Sequence, residues 1–264
     1  MAHPASATYR PHVDVRWLTA FIDRPAGSFD RATSFWLAVT GSTLSPRRGE
    51  TGQFATLVPA DGDAYLRVQR VDDGVGGSHL DLHVGDVDAQ AGAAIDEGAH
   101  EESRRPGLVI LTSPAGFRFC VVRYHGEVTR PAPQRFDDAG HLALVDQLCL
   151  DIPADRFERE CEFWARLTGW ARRHSTVRPE FDYLDRPDGL PLRLLLQRRD
   201  DSDGPSRGHL DIASDDVDGL VRRHTELGAS TAARFEHWTA MVDPAGLPYC
   251  VTARDPRTGS LRAP

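Results

Sequence analysis

The sequence predicts an α+β protein built from two tandem βαβββ-type modules with curved mixed sheets. The main observation is an internal repeat: four sequence blocks occur once in each half of the chain, in the same order. A long unit that occurs only twice indicates a duplicated module rather than a solenoid of short repeats. The paired blocks are Phe35–Gly41 with Phe163–Gly169, His79–Leu82 with His209–Ile212, Asp86–Asp88 with Asp216–Asp218, and Pro114–Gly116 with Pro244–Gly246.

Each module begins with a strand, a helix and a β-hairpin. An apolar run predicts the strand, apolar residues at helical spacing predict the helix, and a Pro-Ala-Asp-Gly or Pro-Asp-Gly turn separates the hairpin strands. Asp155 is placed to cap the helix of the second module, and Gly169 is placed to end it. In module 1 the strand covers 17–22, the helix begins near 29 and the hairpin covers 54–71. In module 2 the strand covers 144–152, the helix begins near 155 and the hairpin covers 181–197.

The same order of elements then recurs within each module. A middle strand is followed by a second helix, and two strands around the Pro-Ala-Gly turn close the module, so each module reads as β-α-β-β-β doubled into two halves. His224 lies beside two arginines on the second helix of module 2 and is expected at the surface. The middle strand covers 79–84 in module 1 and 209–213 in module 2, and the second helix covers 88–97 and 216–227. The two closing strands cover 108–123 and 239–252.

The repeat also sets the predicted boundaries of the two modules. Each module is large enough to bury its own core, and a stretch rich in Pro, Arg and Asp separates them. The residues after Asp255 are expected to be disordered. The predicted units are an N-terminal tail (1–14), module 1 (15–125), a linker (126–142), module 2 (143–254) and a C-terminal tail (255–264).

Composition excludes several classes of function. The net charge of −8 argues against nucleic acid and anionic membranes as partners, since both attract basic surfaces. All 31 cationic residues are arginine, which excludes Schiff-base chemistry on lysine. No stretch approaches the ~20 apolar residues of a membrane span. The 4 cysteines lack paired spacing and the N-terminus lacks the apolar core of a signal peptide, so we expect a cytoplasmic protein with reduced thiols.

These blocks and their order resemble the vicinal oxygen chelate superfamily, which includes glyoxalase I, bleomycin-resistance proteins and extradiol dioxygenases. The resemblance covers residues 15–123 and 143–253 and is greatest to the glyoxalase-like branch. It implies curved sheets around a cleft that holds a divalent metal ion or a small ligand, with ligand side chains from the first, middle and last strands. Fold analogy alone does not choose among the activities of the superfamily.

The resemblance places candidate ligands at particular positions. The middle-strand position falls on His79 and His209. The last-strand position, where enzymes of the family usually carry Glu, falls on Cys120 and Cys250, whose apolar neighbours suggest inert buried thiols. The first-strand position falls near 16–19 in module 1 and on Asp146 or Gln147 in module 2.

Strand alternation indicates which polar residues share a face. The candidate cleft residues are His79, Asp81 and His83 in module 1, and His209, Asp211 and Trp238 in module 2. In one interpretation these rows bind a metal or ligand. In the other, each His-Asp row is a hydrogen-bonded pair that supports the sheet, which its presence in both modules favours.

The sequence predicts a glyoxalase-like protein that binds a small molecule without catalysis, sequestering a hydrophobic or aromatic compound, because the usual carboxylate ligand is missing. The alternative is a divalent-metal-dependent lyase or dioxygenase. Its single Fe, Mn, Ni or Zn ion would be held by His209, Cys250 and Gln147 or Asp146, or by His79 in module 1. Either protein is expected to act on a small molecule, as a two-module monomer or a homodimer.

Overall fold

The computed structural model describes residues 14–72, 74–176 and 178–262. Module 1 contains two βαβββ units, as the sequence predicts. The first unit is β1 (Val15–Pro25), α1 (Phe29–Thr40), β2 (Thr43–Leu44), β3 (Phe54–Val58) and β4 (Leu66–Val71). The second is β5 (Gly77–Val84), α2 (Val87–Asp96), β6 (His100–Arg105), β7 (Leu108–Thr112) and β8 (Arg118–Arg123).

Module 2 repeats this arrangement after a short strand β9 (Gln134–Arg135), which pairs with the start of β10 inside the predicted linker. Its first unit is β10 (Leu142–Ile152), α3 (Phe157–Thr168), β11 (Arg172–His174), β12 (Phe181–Leu184) and β13 (Arg193–Arg198). Its second is β14 (Arg207–Ser214), α4 (Val217–Glu226), β15 (Ser230–Arg234), β16 (Trp238–Val242) and β17 (Pro248–Thr252). None of the helices in these described ranges is long and apolar enough to cross a membrane.

Each module forms one mixed sheet, which confirms the predicted fold class. The strand orders are β2-β3-β4-β1-β5-β8-β7-β6 and β11-β12-β13-β10-β14-β17-β16-β15. At the centre of each sheet the first and middle strands run antiparallel, and each has a parallel neighbour on its other side. Residues from the first, middle and last strands therefore lie side by side, which is where a cleft site can be assembled.

The first helix of each module packs on the other module. Trp36 of α1 is fully buried and lies 5.4 Å from Tyr249 of β17, measured between ring centroids. Trp164 of α3 is also fully buried and lies 5.1 Å from Phe119 of β8. Because aromatic residues contribute much of the buried apolar area of a core, this exchange of helices joins the two modules into one hydrophobic core.

A buried polar group accompanies each exchanged helix. Asp243, in the Pro-Ala-Gly turn of module 2, accepts hydrogen bonds from Arg24 Nε at 2.8 Å and from Trp36 Nε1 at 3.1 Å. At the other interface the acceptor lies on the helix itself: Glu160 of α3 accepts from Trp164 Nε1 at 2.8 Å and from the backbone N–H of Ala115 at 2.8 Å. Burial raises the pKa of Glu160, although these donors oppose the shift.

Three local predictions are wrong. Asp155 does not cap α3: it lies in a 3-10 turn, Ala154–Arg156, and its carboxylate pairs with Arg156 at 3.5 Å. The residues after Asp255 are not disordered up to Arg262, since Arg254 and Leu261 form a β-bridge and the segment folds back on module 2. His224 is not at the surface but fully buried. The predicted tail 1–14 lies outside the described residues except for Asp14.

The buried environment of His224 predicts a specific dependence of stability on pH. Burial, and secondarily the charge of Arg223, lower the pKa of His224 from 6.5 to about 3. The unfolded chain therefore takes up this proton at a higher pH than the folded chain. The stability present above pH 6.5 is lost as the pH falls toward 3, by up to about 1.4 kcal/mol per pH unit.

Urea denaturation at pH 7.5, 6 and 5 measures this slope. His224→Gln should reduce this slope and leave the contribution of His83, whose pKa burial also lowers, to about 4. The reduction is expected even if the variant is less stable overall because the hydrogen bond with the Tyr249 hydroxyl (3.0 Å) is altered. The control His100→Gln replaces an exposed histidine on β6 and should keep the wild-type slope. Equal slopes for wild type and His224→Gln would show that His224 is not the source of the pH dependence.

Candidate functional site

A cavity with a volume of about 580 Å³ lies on the face of the module 2 sheet that carries the predicted ligands. Its floor is formed by the central strands β10, β14 and β17, which contribute Gln147, His209, Asp211 and Cys250. The cavity contains the module 2 residues that strand alternation assigns to one face, together with the half-buried Trp238. The segment that was expected to be a disordered tail contributes residues 258–261 to the wall.

His209 is at the centre of this floor and has a different partner on each ring nitrogen. Nδ1 donates to Asp151 Oδ2 at 2.8 Å. Nε2 lies 3.4 Å from Asp211 Oδ1 and 3.6 Å from Cys250 Sγ. A carboxylate on Nδ1 fixes the ring orientation of metal-binding histidines and leaves Nε2 to coordinate the ion. The geometry of His209 matches that arrangement.

The electrostatic environment of His209 favours a cation. Burial lowers the pKa of His209, but the charge of Asp151 and its hydrogen bond to the ring oppose this effect, and the pKa is raised well above 6.5. Burial and the neighbouring Asp211 raise the pKa of Cys250, so its thiol is protonated when no cation is bound. The site therefore holds a proton on His209 that a metal ion would displace, as metal binding at imidazole and thiolate requires.

Asp211 provides the strongest sign that a cation fits here. Its Oδ2 accepts a hydrogen bond from the side-chain amide of Gln147. Its Oδ1 is buried and accepts no hydrogen bond from any described residue. Single ligand atoms of His209, Asp211 and Cys250 all lie within 4.8 Å of one another. Imidazole, carboxylate and thiolate are all zinc ligands, so these three residues fit a divalent ion.

The structure separates the residues that the sequence nominated as first-strand ligands. Gln147 lies beside Asp211, but its Oε1 already accepts a hydrogen bond from Arg254. Asp146 is fully buried and pairs with the same arginine. A β-bulge between Val145 and Gln147 shifts the strand at this point. Gln147 thus holds Asp211 through its amide, whereas Asp146 pairs with Arg254 through Oδ2 and keeps Oδ1 buried without a hydrogen bond from the described residues.

Module 1 contains an equivalent group that is chemically more closed. His79 Nδ1 donates to Asp23 at 2.6 Å, and its ring stacks on Phe21 with centroids 4.2 Å apart. Arg67 lies 3.7 Å from Asp81, which reduces the negative charge available to a cation. The adjoining cavity is smaller, at about 380 Å³, and Cys120 is buried beneath it, where burial raises its pKa.

His83, the third candidate of module 1, is also buried on this face. Its Nε2 shares a hydrogen bond with Thr19 Oγ1 at 2.9 Å, and its Nδ1 lies 3.6 Å from Glu127. Burial lowers the pKa of His83 to about 4, against the effect of Glu127, so the ring is neutral at neutral pH. The module 1 row therefore supports the sheet through internal hydrogen bonds to a greater degree than the module 2 row does.

A protein-family model connects the chain to known proteins. The family model described as "Glyoxalase-like domain" matches residues 19–122 and again residues 147–252, so this chain belongs to the glyoxalase-like domain family. The predicted resemblance to the vicinal oxygen chelate superfamily is thereby confirmed, and each module corresponds to one copy of the domain. Among curated proteins, no sequence matches this chain.

Several solved structures share the whole fold. The Mn(II)-bound glyoxalase from Novosphingobium aromaticivorans has a TM-score of 0.57 at 15% identity, over 95% of this chain and 85% of its own. The 2,2',3-trihydroxybiphenyl 1,2-dioxygenase from Sphingomonas wittichii strain RW1 has a TM-score of 0.57 at 17% identity, over 90% of each chain.

A third similar structure is a xylose isomerase-like TIM barrel/4-hydroxyphenylpyruvate dioxygenase fusion protein. Its TM-score is 0.62 at 13% identity, and the match covers 96% of this chain and 52% of the fusion protein. This chain therefore spans about half the length of that relative. At such identities the three likenesses establish the fold and leave the activity to be argued from the site.

Proposed function

We propose that this protein is a divalent-metal-dependent enzyme that acts on a small organic molecule in the module 2 cavity. The observation that carries the proposal is the convergence of His209, Asp211 and Cys250 on the cavity floor, where one buried oxygen of Asp211 accepts no hydrogen bond from the described residues and lies 3.4 Å from His209 Nε2. The sequence favoured a non-catalytic binder because the last strand lacks the usual carboxylate. Asp211, two residues after His209, supplies a carboxylate from the middle strand instead.

The donor set indicates the kind of chemistry. Thiolate ligands shift the preference of a site toward Zn²⁺ and away from the ions bound by oxygen donors alone. An ion held here would act as a Lewis acid that polarises an oxygen of the substrate. Lyase-type chemistry is therefore favoured over oxygenation within the broader class that the fold suggests.

The surrounding side chains supply the other requirements of such a site. Asp151 orients His209, and Gln147 holds Asp211 through its amide. Phe181 and Trp238 form an aromatic wall with ring centroids 5.5 Å apart. An aromatic wall excludes water from the floor and offers an apolar surface to a substrate, as ligand cavities commonly do.

Turnover assays with metal-loaded protein test the proposal. In a screen of lyase substrates that includes hemithioacetals of 2-oxoaldehydes, Zn²⁺-loaded wild type should turn over at least one compound. That activity should disappear after chelation, return with Zn²⁺ and be absent in His209→Ala. Oxygen uptake with catechols on Fe²⁺ loading would move the assignment to a dioxygenase. A protein that binds aromatic ligands equally well with and without metal, and turns over neither substrate class, would support the non-catalytic binder.

A further inference from the structure

One wall of the module 2 cavity carries three arginines, which we call the arginine wall: Arg186, Arg193 and Arg254. Arg186 lies in the loop after β12, Arg193 begins β13, and Arg254 follows β17. All three line the same cavity as the His209 floor. Three guanidinium groups from separate segments of the chain are thus brought together at one place by the fold.

The protein neutralises this wall incompletely. The fully buried Asp146 forms an ion pair with Arg254. Among the described residues, neither Arg186 nor Arg193 forms an ion pair, although Asp146 and the exposed Asp188 lie near enough to influence Arg186 electrostatically. The wall therefore keeps an excess of positive charge in a chain whose overall net charge is −8.

One hydrogen-bonding nitrogen of each arginine in the wall is also unsatisfied. Arg186 Nη1, Arg193 Nε and Arg254 Nε are buried and have no hydrogen-bond partner among the described residues. Burial, followed by the repulsion of neighbouring guanidinium groups, lowers the pKa of Arg186 and of Arg193 to about 10, so both stay charged at neutral pH. Buried charges without partners are costly, and a bound anion would relieve that cost.

The wall lies next to aromatic surface. The Arg193 guanidinium stacks on the Tyr183 ring at 3.9 Å from its centroid. Trp238 stacks on Phe235 with centroids 4.4 Å apart and meets Phe181 edge-on. A cavity of about 580 Å³ falls within the range that holds small organic ligands. Cationic and aromatic surfaces are therefore available to the same bound molecule.

We propose that the arginine wall is an anion subsite, which selects an aromatic compound carrying an oxyanion group as the molecule bound in the module 2 cavity. Planar guanidinium groups bind carboxylate and phosphate oxygens through paired N–H donors. The oxyanion would lie on the wall and the ring against Tyr183 and Trp238. This inference deepens the proposed function and rests on it, because it names the substrate class of the same cavity.

Calorimetric titration of the full-length chain with matched ligand pairs tests the subsite. Benzoate should bind at least about tenfold more tightly than benzamide, since a charge-assisted hydrogen bond contributes more than a neutral one. Phenyl phosphate in place of benzoate identifies which oxyanion the wall prefers. The titrations are made on protein as purified and after chelation, in buffer free of phosphate and sulfate.

Variants test whether the arginine wall causes the preference for benzoate. Arg193→Gln and Arg186→Gln should each reduce the preference for benzoate to about twofold or less, and Arg193→Lys should keep part of it. The control Arg222→Gln removes an exposed arginine of α4 and should leave the preference unchanged. Circular dichroism verifies folding, and Arg186→Gln, in a loop, tests the same point if Arg193→Gln does not fold.

Two results would overturn the subsite: equal binding of benzoate and benzamide by wild type, or an undiminished preference in folded Arg186→Gln and Arg193→Gln. Metal content measured in the same samples separates this failure from failure of the proposed function. Intact metal binding with no anion preference removes the subsite alone. An anion preference without any metal binding removes the metal-dependent enzyme and leaves an anion-binding cavity.

Discussion

Replacing His209 with alanine should lower the affinity of the protein for Zn²⁺ by at least about 100-fold, because loss of even an outer-shell partner of a metal ligand costs 10–100-fold. His209 Nε2 lies 3.4 Å from Asp211 Oδ1 and 3.6 Å from Cys250 Sγ. Without it, the remaining pair offers one carboxylate and one thiol whose pKa is raised. Competition titration against a chromophoric chelator measures the loss.

His79→Ala is the matched control for this prediction. His79 has the same position in module 1 and the same type of Asp partner, but Phe21 covers its ring and Arg67 competes for Asp81. His79→Ala should therefore keep the wild-type affinity for Zn²⁺. Co²⁺ loading adds a second readout, since a thiolate-to-metal absorption band should be present in wild type and lost in Cys250→Ser. A loss of affinity in His79→Ala alone would place the metal in module 1.

Replacing Asp243 with alanine should reduce the free energy of unfolding by about 3–5 kcal/mol, since removal of one member of a buried ion pair leaves the other charge uncompensated. Arg24 and Asp243 are almost completely buried, with side-chain exposures of 3% and 0%. Desolvation lowers the pKa of Arg24, but Asp243 opposes this effect. Trp36 would also lose the acceptor of its indole N–H. Urea denaturation measures the change.

Asp218→Ala is the control for the stability prediction. Asp218 also pairs with an arginine at 2.7 Å, but both members of the pair with Arg234 are more than half exposed. Solvent screens such pairs, so this variant should change the free energy of unfolding by about 0–1 kcal/mol. If Asp243→Ala lost as little free energy of unfolding as Asp218→Ala, the contact between Arg24 and Asp243 would not stabilise the junction of the modules.

The fold was predictable because the repeat and the strand pattern are properties of local sequence. Each block recurs in order, and the period of two in β5 and β14 places His79, Asp81, His209 and Asp211 on one face of each sheet. The exchange of helices between modules was not predictable, since it depends on contacts between distant segments. For the same reason His224 is buried: Phe35 and Tyr249, both distant in sequence, pack against its ring.

The candidate site was predictable in part. The positions of His209 and Cys250 follow from the resemblance, and the structure brings their side chains together. The role of Asp151 could have been suspected, since an Asp lies near the end of the first strand in both modules. Two features had no local signal: the β-bulge that turns Asp146 toward Arg254, and the fold-back of residues 258–261 onto the cavity.

The most direct test of the proposed metal centre is elemental analysis of the purified, untagged protein after separate loading with Fe²⁺, Mn²⁺, Ni²⁺ and Zn²⁺ and removal of unbound ion. The donor set predicts about one ion per chain, with Zn²⁺ retained best, and loss of that ion in His209→Ala but not in His79→Ala. Failure to retain any of the four ions, or equal retention by wild type and His209→Ala, would contradict a metal centre on the floor of the module 2 cavity.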